Sequence, residues 1–300
     1  MKTVVFLSDY EDEVEYQAVF DFLKAEDIRG ITAKPCEISV TNGLSGTQFY
    51  FRGDELKPDL VIGYAYLEDL VPAIKLMKLW RMAGVRVING PEVLFSGQNK
   101  DLASAMFNTV EGIRHLPYYK FASFPDESSL ENIGFPLVAK PVNGACGCGL
   151  FKFDSYSELS EWVQQNGDII CNYYVQPYVA KKNNEDYRIV VVNLKACYGY
   201  SRRGANGHWV TNLTQDGSAK IFALDDLPAG LVEMAEKAAQ AAGALICGVD
   251  IALDEKGKPF IIEANTCPAI QISRYFPGAD KTVEKTVADF IRQELIRHDL

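Results

Sequence analysis

The sequence predicts an α/β (α+β) protein that opens with a parallel α/β unit. Three observations carry this reading. Apolar strands alternate with helices through the first ninety residues, an order that requires a parallel sheet covered by helices. After Gly90 the pattern changes to strands linked by a glycine-rich turn at residues 144–149. Near the end, residues 248–253 and 259–264 form a hairpin around Glu255-Lys256-Gly257. At roughly 100–200 residues per domain, a chain of 300 residues holds two or three units. The pattern divides them at 1–95, 96–175 and 176–300.

In the first unit, residues 3–8 read as a buried strand. Residues 14–24 are amphipathic, with Val14, Ala18, Phe22 and then Ala25 at helical spacing. A second strand, 60–63, follows Pro58-Asp59; 70–83 is a helix, and 85–89 a third strand ended by Gly90-Pro91. Residues 30–56 carry a strand near 31–33 and no clear periodicity beyond it. Downstream come a helix at 99–109, strands at 135–142 and 150–153, and a helix at 157–165 with Ser157 as N-cap. Strands follow at 169–176 and 187–201, the latter turning near Leu194-Lys195, then an alanine-rich helix at 229–242 and a closing helix at 283–297.

Composition excludes several classes. Hydrophobic residues make up 48% and charged residues 23%, an ordinary globular balance. No apolar run is long enough to span a bilayer. Met1-Lys2-Thr3-Val4-Val5-Phe6-Leu7 starts like a signal peptide, but Asp9, Glu11, Asp12 and Glu13 follow without a small-residue cleavage site. A net charge of −10 repels phosphate backbones, so no nucleic acid and no membrane partner is expected. The seven cysteines include no C-x-x-C pair, and the three histidines are far apart, so zinc has little to bind and reduced thiols in the cytoplasm fit best.

The strongest chemical constellation is Gly248-Val249-Asp250-Ile251 with Phe260-Ile261-Ile262-Glu263-Ala264-Asn265. Strand alternation turns Glu263 and Asn265 to one face. A two-residue loop at Lys256-Gly257 sets Asp250 directly opposite Glu263; a four-residue loop at 254–257 sets it one diagonal away. Val249, Ile251, Phe260 and Ile262 form the other, apolar face. Two carboxylates and an amide oxygen are hard ligands suited to magnesium carried on ATP phosphates; the alternative is an exposed hairpin face that merely is acidic. The second element, Leu137-Val138-Ala139-Lys140-Pro141, leads into Gly144-Ala145-Cys146-Gly147-Cys148-Gly149. A strand lysine supplies charge for phosphate oxygens, and Gly144, Gly147 and Gly149 let backbone N–H groups turn against them. The loop matches neither a P-loop nor a dinucleotide fingerprint, and an ordinary glycine turn fits it equally. The third element is Tyr174-Val175-Gln176-Pro177-Tyr178-Val179, with Asp186-Tyr187-Arg188 after it.

In this order the pieces resemble the RimK-type branch of the ATP-grasp superfamily, which attaches amino acids, typically glutamate, to carboxylates. The likeness runs from Asn99-Lys100 to the end and implies a two-subdomain ATP-grasp fold behind a pre-ATP-grasp α/β domain. It also implies roles. Lys100 and Lys140 would contact the nucleotide. Gln176, Pro177, Tyr178 and Val179 would form the hinge beside adenine. Asp186 would be a nucleotide-binding acid, and Asn212 would lie near the phosphates. Asp250, Glu263 and Asn265 would bind magnesium, or manganese in its place, and Arg203 would sit over the transferred phosphoryl group. One departure falls near the acceptor: Thr266-Cys267-Pro268-Ala269-Ile270 stands where the family has a small residue, Ser-Pro-Gly and an apolar residue.

The implied activity is an ADP-forming carboxylate–amine ligase that works through an acyl phosphate. Its partners are ATP, an amino acid and a carboxylate-bearing small molecule or peptide; a homo-oligomer is compatible. Rival readings are a peptide-modifying or dipeptide ligase on the same scaffold and a non-catalytic nucleotide-binding regulator, although the latter would be free to lose the ligand set. A dehydrogenase lacks its G-x-G-x-x-G.

Overall fold

The computed structural model describes residues 1–8, 14–44, 46–120, 125–144, 147–167, 169–204, 209–211 and 218–297. Its first unit contains β1 (Lys2–Ser8), α1 (Val14–Lys24) and β2 (Ile28–Ala33), then the antiparallel β3 (Ile38–Gly43), β4 (Gly46–Phe51) and β5 (Asp54–Glu55). β6 (Leu60–Tyr64), α2 (Leu70–Met82) and β7 (Arg86–Ile88) complete a parallel sheet of order β2-β1-β6-β7. Val4, Val5, Phe6 and Leu7 are all fully buried, as a central strand covered on both faces requires. The buried stripe of α1 is Tyr16, Ala18, Val19 and Leu23, with Tyr16 stacked on Phe6; of the other residues expected there, Phe22 is partly buried against the core and Val14 is exposed. The small sheet over 38–55 had no legible period, yet its Phe49 stacks on Trp80 of α2 and joins the core.

Two helices follow in succession, α3 (Pro91–Gln98) and α4 (Lys100–Phe107). Gly90-Pro91 ends a strand as expected, but it also starts α3, because proline's fixed φ suits the first helical position. Gly97 lets α3 approach Thr266 so closely that a Cβ there would come within 2.2 Å of Thr266 Cγ2.

The middle unit is an antiparallel sheet of order β10-β9-β11-β8. It is built from β8 (Tyr119–Lys120), β9 (Leu137–Pro141), β10 (Phe151–Phe153) and β11 (Tyr173–Pro177), with α5 (Tyr156–Gln165) on one face. Leu137, Ala139, Phe153 and Val175 bury against Leu159 and Val163 of α5. The N-cap of α5 is Ser155, not Ser157: its hydroxyl accepts the Glu158 N–H, a contact worth about 1 kcal/mol. The opposite face presents Val138 and Lys140 beside Gln176 and Tyr174, by the pairings Tyr174–Lys140 and Gln176–Val138.

The third unit has β12 (Lys181–Val192), β13 (Lys195–Arg203), β14 (Ser218–Phe222), α6 (Leu231–Ala242), β15 (Ile246–Asp254) and β16 (Pro259–Asn265), ending in α7 (Ile272–Tyr275) and α8 (Thr282–Arg297). Its antiparallel sheet runs β14-β13-β12-β15-β16. Asn193 and Leu194, at φ 51° and 63°, make the expected tight turn between β12 and β13. The alanines of α6 let it lie close on Ile189, Val191, Val249 and Ile251. Packing crosses the chain divisions at 95/96 and 175/176 in two places. Ala103 and Phe107 of α4 bury with α6, and Val287, Ile291 and Leu295 of α8 bury with the first unit. Among the described residues no helix is long and apolar enough to cross a membrane.

Candidate active site

The hairpin β15–β16 pairs Asp250 directly with Glu263 and Gly248 with Asn265. The two-residue loop would produce that register, but the chain reaches it differently. Asp254 N–H donates to the Lys258 carbonyl, closing a longer turn, and a bulge between Asp250 and Ile251 restores the pairing. The bulge also corrects the apolar face. Ile261 and Ala264 oppose Ile251 and Val249 in the core, whereas Phe260 opposite Ala252 falls on the side of Asp250, and Ile262 is only half-buried.

Asp250 is buried and doubly clamped. Arg188 donates to both of its oxygens at 2.6 Å, and Arg202 Nη2 stands 2.7 Å from one of them. Burial alone would raise this carboxyl, but the two guanidinium groups hold it below the usual carboxylate range. Arg188 is correspondingly pushed up: burial opposes its charge most strongly, but Asp250, Tyr200 and Glu263 together outweigh it. Asp186, also buried, accepts from Arg202 at 2.8 Å and from the Thr211 hydroxyl, with Lys181 at 3.9 Å. Glu263 is looser: Lys100 stands 3.5 Å and Arg188 3.7 Å away, and its side chain is 30% exposed. The Asn265 amide oxygen accepts the Cys267 N–H at 2.8 Å.

Across the cleft, the polar face of the middle sheet brings Lys140, whose ammonium donates to Gln176 Oε1 at 2.8 Å. Burial pulls that ammonium down to about 8; Glu263 opposes the shift, and Lys100 and Lys181 add to it. Lys100 links the two sides, donating to the Gly144 carbonyl at 2.5 Å while facing Glu263. Gly147 and Gly149 take φ of 69° and 71°, the left-handed values that favour glycine. Beyond β11, Tyr178 N–H donates to the Pro136 carbonyl at 2.8 Å, and Val179 is half-buried beside it.

Of the residues singled out in the sequence, Lys100, Lys140, Gln176, Asp186, Asp250, Glu263 and Asn265 converge on this cleft or its floor. Pro177, Tyr178 and Val179 continue the strand at its edge, and Asn212 and Cys146 lie outside the described residues. Arg203 does not join them. Register pairs Arg202 with Asp186 and Arg203 with Glu185, so Arg203 takes the opposite face; its half-exposed guanidinium stands 3.5 Å from Glu185. Sequence reasoning passed over Arg202, Arg188, Lys181 and His115. Alternation from Asp186 already puts Arg188 on the same face, whereas the choice between adjacent Arg202 and Arg203 needs the register.

Among the described residues no group of three or more His, Cys, Asp or Glu side chains could hold a metal by itself. Glu263 and Asn265 still offer hard oxygen donors beside a clamped third, and Glu263 already draws two cations toward it. Such a partial set fits a divalent ion that brings further oxygen ligands on phosphates.

Two polar sheet faces closing on one cleft are the architecture of the ATP-grasp ligases, and solved structures agree. An ATP-grasp ligase, PsnB, complexed with a minimal precursor superposes with a TM-score of 0.72 at 15% identity, covering 98% of this chain and 100% of that one. D-alanine–D-alanine ligase from Bacillus anthracis complexed with ATP gives 0.68 at 14% identity, covering 100% and 99%. A family model described as the RimK-like ATP-grasp domain matches residues 117–290. A probable alpha-L-glutamate ligase of Hydrogenovibrio crunogenus is 25% identical over 89% of this chain and 86% of its own length. A protein of the same name from Vibrio atlanticus is 28% identical over 85% and 82%. The chain belongs to the RimK-like ATP-grasp family and is an ADP-forming carbon–nitrogen ligase.

Proposed function

We propose that this ligase activates a carboxylate with ATP and joins it to the amino group of an amino acid, with glutamate the first amine to test. The observation that carries the reading is the arrangement across the cleft. Lys140 approaches from the middle sheet and Lys100 from the start of α4, where it also reaches the Gly144 carbonyl, and Glu263, Asn265 and the clamped Asp250 lie on the hairpin face opposite. The names of the relatives from Hydrogenovibrio crunogenus and Vibrio atlanticus support glutamate.

In this reading Lys100, Lys140 and the turn at Gly144, Gly147 and Gly149 hold the phosphates, and residues 176–179 border the base. Lys181 and Asp186 line the floor. The substrate carboxylate attacks the γ-phosphate, the bond to ADP breaks, and an acyl phosphate forms; the amine then attacks the acyl carbon and expels phosphate. Arg202 and Arg188, rather than Arg203, are the guanidinium groups close enough to offset charge on the transferred group. ATP-grasp ligases use magnesium, and here Glu263 and Asn265 would hold it, with Asp250 joining them as its arginines loosen, to neutralise phosphate charge. Manganese as a substitute is part of the same proposal. The departing segment 266–270 is tied to the first unit: Tyr64 Oη donates to the Pro268 carbonyl, and Glu15 accepts the Ile270 and Gln271 N–H groups. Acceptor choice then depends on the first unit as well as the hairpin. No step of this scheme requires a thiol, so the cysteines need no catalytic role, and reduced thiols suit the cytoplasmic setting proposed here.

The test is ADP release from purified protein with MgATP, screened over amino acids crossed with small-molecule and peptide carboxylates. Glutamate-dependent ADP release with a new amide bond in the product supports the proposal. Amine-independent release, or none across the screen, sinks it.

A further inference from the structure

We propose that His115 is a positioning residue that sets the orientation of Gln176 and, through it, of Lys140, an inference that rests on reading Gln176 and Lys140 as nucleotide contacts. His115 is buried at the junction of the two cleft sheets, bridged to Ile261 of β16 and in ring contact with Phe107 of α4. Its Nδ1 lies 3.0 Å from the Ile261 carbonyl oxygen. A carbonyl can only accept, so Nδ1 carries the proton and Nε2 is left as a lone pair. Gln176 Nε2 stands 3.2 Å from that lone pair and 3.1 Å from the Leu116 carbonyl. Both partners are acceptors, so both must receive N–H groups, and the amide nitrogen of Gln176 is held toward them. The amide oxygen is thereby turned to the cleft, where it accepts from Lys140 at 2.8 Å. Every link has one allowed direction: Ile261 carbonyl, His115, Gln176, Lys140.

Surroundings keep the relay in that state. The edge-on contact between His115 and Phe107, with ring centroids 5.4 Å apart, fixes the imidazole plane. Burial, then the charge of Lys140, lowers the imidazole to about 4 against the pull of the Ile261 carbonyl, so it stays neutral and Nε2 stays an acceptor. Arg114 continues the same junction by accepting the Ile261 N–H on its carbonyl at 2.9 Å. The relay starts two residues from Glu263 and ends on the lysine across the cleft, so the hairpin and the middle sheet share one hydrogen-bonded chain. A flipped Gln176 would aim its amide N–H groups at the Lys140 ammonium and displace it.

Two variants separate the halves of the relay. His115→Asn keeps a donor near Nδ1 and loses the acceptor at Nε2; His115→Gln reaches the Nε2 position and loses the tether to Ile261. The probe is MgATP binding by calorimetry on the full chain, with Lys140→Ala and the Asn/Ala double variant alongside. The expected result is about tenfold weaker binding for His115→Asn, the scale of one hydrogen bond to a charged group, with His115→Gln near wild type. The double variant should be little worse than Lys140→Ala alone, since both act on one contact. Equal weakening by both His115 variants, or additive losses in the double variant, overturns the relay and leaves the nucleotide site standing. An unchanged ATP affinity in Lys140→Ala overturns the site reading and the relay with it. Nitrogen-15 spectra of the wild-type imidazole give a check free of folding effects: a proton on Nδ1 supports the relay, and one on Nε2 overturns it.

Discussion

Replacing Arg202 and Arg203 separately by alanine distinguishes two neighbours that look alike in the sequence. Arg202 is 9% exposed and serves two buried carboxylates, Asp186 at 2.8 Å and Asp250 at 2.7 Å. Its removal strands negative charge in the interior, and breaking a buried pair in this way costs about 3–5 kcal/mol. Asp250 keeps both contacts to Arg188, so its share of the loss is small. Among the described residues Asp186 keeps Thr211 and the distant Lys181, so most of the loss falls there. The expected cost is therefore near the lower end, about 3 kcal/mol, or roughly 6–12 °C in Tm at the sensitivity of a domain of 150–250 residues. Arg203 is 54% exposed and meets Glu185 at 3.5 Å. An exposed pair of this kind contributes at most about 1 kcal/mol. The assays are differential scanning fluorimetry for stability and coupled ADP release for activity. Arg202→Ala should melt early and lose turnover even at temperatures where it is folded; Arg203→Ala should do neither. An inactive, normally melting Arg203→Ala beside an active Arg202→Ala would refute the register argument.

Glu263→Gln should abolish ligation with little change in Tm, because its cationic neighbours are loose and its side chain is partly exposed; near-normal turnover at saturating magnesium would mark that face as structural. Lys140→Ala should weaken ATP binding more than it weakens the fold. In the wild type, ATP affinity should fall as pH rises through about 8, since the lowered Lys140 ammonium then gives up the proton that attracts phosphate; a flat profile from pH 7 to pH 9 would contradict that assignment. Cys148→Ser should keep near-normal turnover, since its thiol has no step to perform, whereas Gly147→Val should be strongly impaired because valine is strained at φ 69°. A dead cysteine variant beside an active glycine variant would reopen covalent catalysis.

Local chemistry was legible wherever it depends on period or on backbone freedom. The four apolar residues of β1, the alternation that puts Glu263 and Asn265 together, and the turn at Asn193-Leu194 follow from side-chain direction and turn preference, which act over a few residues. The same applies to the glycines at 147 and 149. Helix α3 was missed because Gly90-Pro91 signals both an ending and a beginning, and its burial partner, Thr266, is far along the chain. The small sheet over 38–55 was missed because it gains its core only by laying Phe49 on Trp80.

At the candidate site the sequence alone determined which residue types were available: Lys140, Asp250, Glu263 and Asn265 on strands with known parity, and Lys100 at the start of a helix. Tertiary structure decided which of them stay free. Asp250 looked like an open ligand and is clamped by Arg188 and Arg202, and Arg203 looked like the reactive arginine and faces away. His115 was a lone histidine in the sequence and became the link between two sheets only when Ile261 and Gln176 closed around it. The physical reason is range. Alternation fixes a side chain's face from its own neighbours, whereas its partners come from elsewhere in the chain, 62 positions away for Arg188 and Asp250 and 146 for His115 and Ile261. Register, a bulge and burial choose them, and none of these is written in any short stretch of sequence.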